Sequence, residues 1–290
     1  MSFESIMFHI NASRSDRKRD SLIPLPAGVE QINNISYGPY RKYNLLDVYR
    51  PEGKENLPFI VNIHGGGFVY GSKEVYKRYC MDLARRGFCV VNINYRLAPR
   101  WKFPTPLEDI NNVLLWLARE GRRYGDISHI FMVGDSAGAQ LASQYAAMLT
   151  NPEYMALFGL QKPDSRIKLT ALGLNCGLYN IQHVAANERR GVELDYLGRK
   201  LSGEDPRLAV MGAITPDFPP AHITTACHDF LRPAAQPMFE HLTGLGIPCR
   251  MDCYGSEDDA SIGHVFHVNI LQEEAIRCND DQCAFFRTFL

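Results

Sequence analysis

The chain has 290 residues, of which 46% are hydrophobic and 22% charged, and its formal net charge is -1. These are ordinary values for a globular protein, so they exclude disordered and fibrous classes. Because 31 Lys+Arg balance 32 Asp+Glu, no overall charge attracts a phosphate backbone or a membrane, and we expect neither nucleic acid nor membrane as a partner.

Six strands are predicted from short apolar, often β-branched runs, at residues 59–64, 88–95, 130–134, 169–174, 222–226 and 248–254. Five helices are predicted from apolar residues at three-and-four spacing, at 72–86, 106–124, 137–149, 234–245 and 268–290. Nearly all-apolar strands that alternate with helices indicate an α/β fold, in which a mostly parallel sheet is covered on both faces. We expect a single domain over residues 1–290.

No strand is predicted in residues 181–215. About 35 residues is too long for an ordinary connection between a strand and a helix, so this segment is predicted to be a small helical cap inserted over one edge of the sheet. Its apolar residues alternate with charged ones, as an amphipathic cover requires: Val184, Glu188, Arg189, Arg190, Val192, Glu193, Leu194, Asp195, Tyr196 and Leu197. The first 35 residues could contribute to the same cap.

The eight cysteines show neither the pattern of a disulfide framework nor zinc-type spacing. Reduced thiols favour a cytoplasmic location. The first residues have no basic region followed by an apolar stretch, and no run of about 18 apolar residues occurs, so we expect no signal peptide and no membrane span. A basic cluster near the start of the chain is interrupted by acids, which favours a solvated stretch: Arg14, Asp16, Arg17, Lys18, Arg19 and Asp20.

The most specific motif is Gly-Asp-Ser-Ala-Gly at residues 134–138. It lies between a predicted strand and a predicted helix, which is the context of a nucleophile elbow. The flanking glycines allow a sharp turn that exposes the serine hydroxyl. Ser136 is therefore the candidate nucleophile.

A second motif, His-Gly-Gly-Gly-Phe at residues 64–68, follows the first predicted strand. Consecutive glycines let backbone N–H groups approach a ligand closely and turn together toward it. Donors of this kind stabilise the oxyanion of a tetrahedral intermediate.

A serine nucleophile needs a base, and the base needs an orienting acid. His264 lies in a loop after the last predicted strand, and His267 is a close rival. Asp229 directly follows the strand at 222–226, while Glu257, Asp258 and Asp259 fit a solvated loop. The order Ser136, Asp229, His264 is the chain order of α/β-hydrolases.

These residues resemble the hormone-sensitive-lipase-like esterases and acetyl esterases of the α/β-hydrolase fold, from about residue 40 onward. The resemblance rests on residues 64–68, 95–99, 103–109, 134–138, 229–231 and 264–266. The family's His-x-Phe pattern favours His264 over His267. It also implies that Gly66, Gly67 and Ala137, with Gly65 adjacent, form the oxyanion hole. The resemblance further implies that Arg96 pairs with Asp109 or Glu108 beneath the site.

The resemblance implies a serine carboxylic-ester hydrolase that acts on small, short-chain, acetyl-type esters without metal or organic cofactor. Two alternatives stay open. One is an arylformamidase or peptidase on the same scaffold, and the other is a non-catalytic ligand-binding relative. A homodimer is a further expectation, since an edge strand near residues 248–254 could pair across a twofold axis.

Overall fold

The computed structural model describes residues 1–186 and 189–290. One sheet contains eight strands: β1 (Val29–Ser36), β2 (Leu45–Pro51), β3 (Pro58–Ile63), β4 (Cys89–Ile93), β5 (Asp126–Asp135), β6 (Leu169–Asn175), β7 (Ala221–Ala226) and β8 (Cys249–Tyr254). The α-helices among the described residues are α1 (Phe3–Leu22), α2 (Lys77–Arg85), α3 (Thr105–Glu120), α4 (Ala137–Thr150), α5 (Pro152–Ala156), α6 (Ile181–Ala186), α7 (Gly191–Leu197), α8 (Val210–Ala213), α9 (Ala235–Gly244) and α10 (Glu273–Arg287).

The strand order in the sheet is β1-β2-β4-β3-β5-β6-β7-β8. Within the group β3 to β8, every pair of neighbouring strands is parallel. Strand β2 pairs antiparallel with both β1 and β4. The prediction of a mostly parallel sheet is therefore confirmed. The six predicted strands are β3 to β8, with β5 beginning earlier than predicted.

The sequence prediction missed β1 and β2. Strand β1 lies at the edge of the sheet, where only its first residue is buried, and it has an irregularity between Ile32 and Ile35, so its apolar residues do not alternate. Strand β2 carries Asp47, a buried carboxylate that interrupts the apolar run. Asp47 is compensated by the ammonium group of Lys73 at 3.0 Å, a partner that only the folded chain brings close.

Alternate residues of each central strand enter two hydrophobic layers, as the two-residue period of a strand requires. In β3, Phe59 and Val61 pack on the face covered by α3, α4 and α9, and Ile60 packs on the face covered by α2 and α10. The sheet is thus apolar on both faces. This explains why its central strands read as continuous apolar runs.

Two of the five predicted helices begin five residues later than predicted. Helix α2 begins at Lys77 rather than at residue 72, because Ser72 starts a separate turn in which its carbonyl oxygen accepts from the amide of Val75. Helix α10 begins at Glu273 rather than at residue 268, after a short 3-10 turn at Phe266–Val268.

Residues 181–215, predicted as a cap, contain α6, α7 and α8 in their described part. Asn187 and Glu188 of that segment lie outside the described residues. Of the first 35 residues, α1 packs beside α7, where the amide of Ser2 donates to Asp195 Oδ2 at 2.7 Å. Residues Val29–Ser36 belong to the sheet as β1. In the part of the chain that the structure covers, no helix could span a bilayer.

Candidate active site

Four loops that carry the candidate residues follow β3, β5, β7 and β8. The carboxyl ends of parallel strands lie at one edge of a sheet, and this is the edge where α/β folds bind ligands. The topology alone therefore brings four features to the same end of the molecule: residues 64–68, here called the glycine loop, and Ser136, Asp229 and His264.

Ser136 occupies the turn between β5 and α4 with φ 52° and ψ -116°. A non-glycine residue with positive φ is strained, and such strain is typical of functional turns. A side chain on Gly138 would lie 2.1 Å from the carbonyl oxygen of Ile63, and one on Gly134 would lie 2.4 Å from that of Gly138. Glycine is required at both positions, so that the turn can close and leave the Ser136 side chain facing outward.

His264 and Asp229 are hydrogen bonded, with Nδ1 of the ring 2.7 Å from Oδ1 of the carboxylate. Engagement of Nδ1 leaves Nε2 as the ring nitrogen that can exchange a proton with another group. Phe230 packs on the ring of His264, with 4.2 Å between the ring centroids.

The carboxylate of Asp229 is held from several sides. Thr225 Oγ1 donates to Oδ2 at 3.0 Å, and the amide of Leu231 donates to Oδ1 at 2.9 Å. Burial acts to raise the pKa of this carboxyl, but the hydrogen bond and charge of His264, with donors from Leu231 and Cys176, hold its pKa below the ordinary value. Asp229 is therefore a carboxylate at neutral pH.

The loops that carry Asp229 and His264 are tied together. His228 and Gly263 form a parallel β-bridge, and the ring of His228 donates to the carbonyl oxygen of Glu257 at 3.0 Å. The rival His267 is buried with its ring edge against Tyr79, 5.1 Å between centroids, and burial lowers its pKa to about 3. It does not line the cavity that His264 lines.

The glycine loop contains one residue that differs from expectation. Gly65 is buried, and its amide donates to Asp135 Oδ1 at 3.2 Å and to the hydroxyl of Tyr76 at 3.1 Å. Gly65 is therefore not an available donor, which corrects its inclusion in the predicted oxyanion hole. The expectation failed because the two groups that accept from the Gly65 amide come from β5 and from the turn before α2, which are distant in sequence.

Gly66 and Gly67 remain half-buried with φ 112° and 57°. Their amides and that of Ala137 have no acceptor within the described part of the chain. Ala137 is the first residue of α4, where helix amides are unpaired and the helix dipole favours negative charge. These three N–H groups and Ser136 border one cavity.

Asp135 and Tyr76 form a support beneath the glycine loop that sequence reasoning missed. The Tyr76 hydroxyl donates to Asp135 Oδ2 at 2.7 Å, and both side chains meet the amide of Gly65. Burial raises the pKa of Asp135 to about 6. The only sequence signal for this support was the acid at the first variable position of Gly-x-Ser-x-Gly, because a carboxylate in a buried strand needs a hydrogen-bond partner.

The cavity has a volume of about 640 Å³, within the range of small-molecule sites. Its floor is the glycine loop with Ser136 and His264. Its walls come from side chains of α6, α7 and the inner face of α1: Ile181, Val184, Val192, Tyr196 and Leu197, with Phe8, Ala12, Ser15, Asp16 and Arg19. Leu194, expected on the same apolar face, lies at a different surface depression.

Cys176 is a further residue that the sequence did not indicate. Its sulfur lies with Asp229 and His264 in a group whose ligand atoms are within 4.8 Å of one another, and it accepts from the amide of Val265 at 3.4 Å. Thiolate, carboxylate and imidazole can together hold a soft divalent cation. Here the hydrogen bond between Asp229 and His264 already engages two of the three groups.

The ion pair expected at Arg96 is confirmed. Its guanidinium contacts Asp109 through Nε at 2.9 Å and Glu108 through Nη2 at 2.9 Å, and its amide donates to Asp109 Oδ2 at 2.7 Å. Arg96 thereby ties the loop after β4 to the start of α3.

A protein-family model described as "alpha/beta hydrolase fold" matches residues 60–267, well over half of the chain. Over 109 residues the chain is 44% identical to probable carboxylesterase 6 of Arabidopsis thaliana, covering 35% of this chain and 32% of that protein. Over 104 residues it is 36% identical to ethyl acetate hydrolase of Pseudomonas putida, covering 35% of this chain and 33% of that protein. The matched part thus spans about a third of the length of these curated relatives.

Among solved structures, esterase B from Lactobacillus rhamnosis with a tributyrin phosphonate superimposes with a TM-score of 0.86 and 25% identity. The alignment covers 97% of this chain and 92% of that one. The resemblance to esterases of this fold, drawn from the motifs, is confirmed by these relatives. The chain belongs to the α/β-hydrolase family.

Proposed function

We propose that the protein is a serine carboxylic-ester hydrolase that acts on short-chain, acetyl-type esters. The observation that carries the proposal is a single cavity bordered by a strained serine at the start of a helix, a histidine bonded to a buried carboxylate, and three backbone amides that have no acceptor among the described residues. This is the set of groups that acyl transfer requires.

In the proposed acylation step, Ser136 Oγ attacks the ester carbonyl while His264 Nε2 takes its proton. The carbonyl oxygen becomes an oxyanion that accepts from the amides of Gly66, Gly67 and Ala137. The carboxylate of Asp229 holds Nδ1 protonated and stabilises the imidazolium that forms. His264 then returns the proton to the leaving alkoxide, and the acyl group stays on Ser136.

Deacylation uses the same groups in reverse. A water molecule gives its proton to His264 Nε2 and attacks the acyl carbonyl, so that the acid product leaves and Ser136 regains its proton. An oxyanion forms at the same carbonyl oxygen in both halves, so the amides of Gly66, Gly67 and Ala137 stabilise both tetrahedral intermediates.

Covalent labelling tests the proposal most directly. A fluorophosphonate probe should attach to Ser136, and p-nitrophenyl acetate should turn over in the same preparation. A non-catalytic ligand-binding relative would resist labelling or fail to turn over ester. Faster turnover of an N-formyl aniline or a peptide amide than of p-nitrophenyl acetate would favour the arylformamidase or peptidase alternative.

We expect p-nitrophenyl acetate to butyrate to be hydrolysed faster than decanoate. Each methylene that fits an apolar wall adds up to about 0.8 kcal/mol, and one that collides with the wall adds nothing. Val192 limits the space above the reaction centre, since its Cγ1 lies 3.2 Å from where a side chain on Gly67 would begin. The test is kcat/KM measured across acyl lengths, and a value still rising at dodecanoate would contradict a compact acyl site.

We expect Asp135→Asn to lower kcat about ten- to a hundredfold with little change in KM, because Gly65 loses the carboxylate that aims the neighbouring amides. Tyr76→Phe is the matched variant, since it removes the second partner of the same amide and keeps the ring. Steady-state kinetics of both variants check this. A change in KM alone would show that the pair shapes substrate binding rather than the oxyanion hole.

Asp135 also gives a pH dependence of stability. Burial raises its folded-state pKa to about 6, against about 3.9 in an unfolded chain. Between these values the folded chain holds a proton that the unfolded chain has released, so this residue lowers the free energy of unfolding as pH rises. The stability of Asp135→Asn relative to wild type should therefore improve from about pH 4.5 to pH 7.5 in urea unfolding. A difference independent of pH would contradict a raised folded-state pKa of Asp135.

Three broader expectations remain proposals. Residues 1–290 form one domain, with a cap insertion at about residues 181–215 and a contribution from the first 35 residues, as the lining of the cavity by side chains of α1, α6 and α7 supports. A cytoplasmic location is supported by eight free cysteines. Homodimer formation is supported by β8, which lies at the edge of the sheet.

A further inference from the structure

Helix α1 has one face toward the cavity and one toward solvent. Its inner face, including Phe8, Ala12 and Asp16, borders the cavity. Its outer face carries large apolar residues at three-and-four spacing in the first half of the helix. These are Phe3, Ile6, Met7 and Ile10, with exposed fractions from 37% for Ile10 to 74% for Phe3.

The same outer face continues into exposed cations. Arg14, Arg17 and Lys18 follow the apolar residues at the spacing that keeps them on one side of the helix, and all three are exposed. Among the described residues none of the three forms an ion pair. The face is thus apolar over its first half and positive over its second.

The acids that interrupt this cluster in the sequence point elsewhere. Asp16 accepts from Tyr70 and pairs with Arg19, and Asp20 also pairs with Arg19. Near the start of the helix, Glu4 lies beside α7, with its Cβ 3.2 Å from where a side chain on Gly191 would begin. The balanced charge expected from the sequence is therefore separated in space, and the outer face keeps its positive charge.

We propose that this face, defined by Phe3, Ile6, Met7, Ile10, Arg14, Arg17 and Lys18 and here called the docking face, binds an anionic lipid surface peripherally. Apolar side chains can enter the boundary of the acyl chains while neighbouring cations contact anionic head groups. Charge complementarity selects this occupant. A second copy of the chain could cover the apolar half, but its own docking face offers no acid to the three cations.

Docking through α1 has a consequence for the cavity. The inner face of the helix borders the cavity, and a helix with its side chains is about 10 Å across. A docked molecule therefore holds its cavity about that distance from the lipid surface, where amphiphilic esters concentrate. The docking face itself needs no catalytic group, so docking can be tested without turnover.

The test is cosedimentation of the full chain with vesicles of phosphatidylcholine alone or with about 30 mol% phosphatidylglycerol, a composition that supplies the anionic surface potential. We expect binding to the anionic vesicles that is lost in about 1 M NaCl, where the Debye length falls to about 3 Å. The Ser136→Ala variant should bind equally. Binding is then independent of the proposed esterase activity, and failure of one proposal is distinguishable from failure of the other.

The triple variant Arg14→Ser, Arg17→Ser, Lys18→Ser should lower the partition coefficient about a hundredfold, since each cation near an anionic surface contributes about fivefold. Ile6→Gln with Ile10→Gln should also weaken binding. The matched control replaces three exposed cations outside α1, namely Lys54, Arg122 and Lys162, with serine. This control variant should bind nearly as tightly as wild type. Thermal unfolding midpoints verify that each variant is folded.

Three results would overturn the proposal. They are failure of the wild-type chain to bind anionic vesicles, equal loss of binding in the control triple variant, and a dimer that dissociates in Ile6→Gln with Ile10→Gln and is unaffected by anionic vesicles. The last result, measured by sedimentation equilibrium, would assign the docking face to a second copy.

Discussion

Replacing Ser136 with alanine is expected to lower kcat by about six orders of magnitude, the scale on which loss of a triad nucleophile acts. This corresponds to about 8 kcal/mol of transition-state stabilisation. Alanine can occupy the same turn, whose shape depends on Gly134 and Gly138, so the fold should be retained. The measurement is single-turnover and steady-state hydrolysis of p-nitrophenyl acetate, with the thermal unfolding midpoint as the check on folding.

Ser261→Ala is the matched control for this prediction. Ser261 also borders the cavity, but it lies in the loop before His264 and is exposed. Its loss should change kcat by less than about tenfold, because no reacting proton passes through it. If Ser136→Ala kept a tenth of the wild-type activity, Ser136 would not be the nucleophile.

The residues that sequence analysis could identify are those whose chemistry is encoded locally. Ser136 sits between two glycines that its turn requires, and the glycines of the loop after β3 are adjacent in sequence. A motif of this kind predicts its own backbone shape, because no distant residue is needed to explain it. The parallel strands β3 to β8 were predictable for a similar reason, since burial on both faces makes each an apolar run.

Features that depend on distant partners could not be predicted. Tyr76 supports Gly65 only because the turn before α2 folds back against β5, and Cys176 meets Asp229 only because β6 and β7 are neighbours. The inclusion of Gly65 in the predicted oxyanion hole also failed because of a distant partner. Three consecutive glycines look equivalent in sequence, but a carboxylate 70 residues away engages the first.

Helix α1 shows the same limit on a larger scale. Its apolar and basic residues are evident in the sequence, yet the acids between them suggested that the positive charge of the basic residues is neutralised. Side-chain direction decides the matter, because Asp16 turns toward Tyr70 and Arg19, whereas Arg14 lies on the opposite side of the helix. Composition therefore predicted no attraction to anionic surfaces, while the folded helix presents a separated positive patch.

Replacing Asp229 with asparagine is expected to lower kcat by about four orders of magnitude at nearly unchanged KM. The carboxylate accepts from His264 and Leu231 at Oδ1 and from Thr225 at Oδ2. If the amide group turns its NH2 toward His264, it meets the amide of Leu231 and selects the imidazole tautomer that cannot accept from Ser136. If it turns its oxygen toward His264, the negative charge that stabilises the imidazolium is still lost.

Glu257→Gln is the control for Asp229→Asn, because Glu257 is an exposed acid of the neighbouring loop that pairs with Arg232 at 2.7 Å. An exposed pair of this kind contributes little to stability, so its kcat should remain near that of wild type. Each variant removes one negative charge near His264, and the two differ in whether the acid contacts the ring. If Asp229→Asn left kcat unchanged and Glu257→Gln lowered it strongly, Glu257 would be the acid that orients His264. If both variants lowered kcat equally and strongly, net charge rather than contact would orient His264.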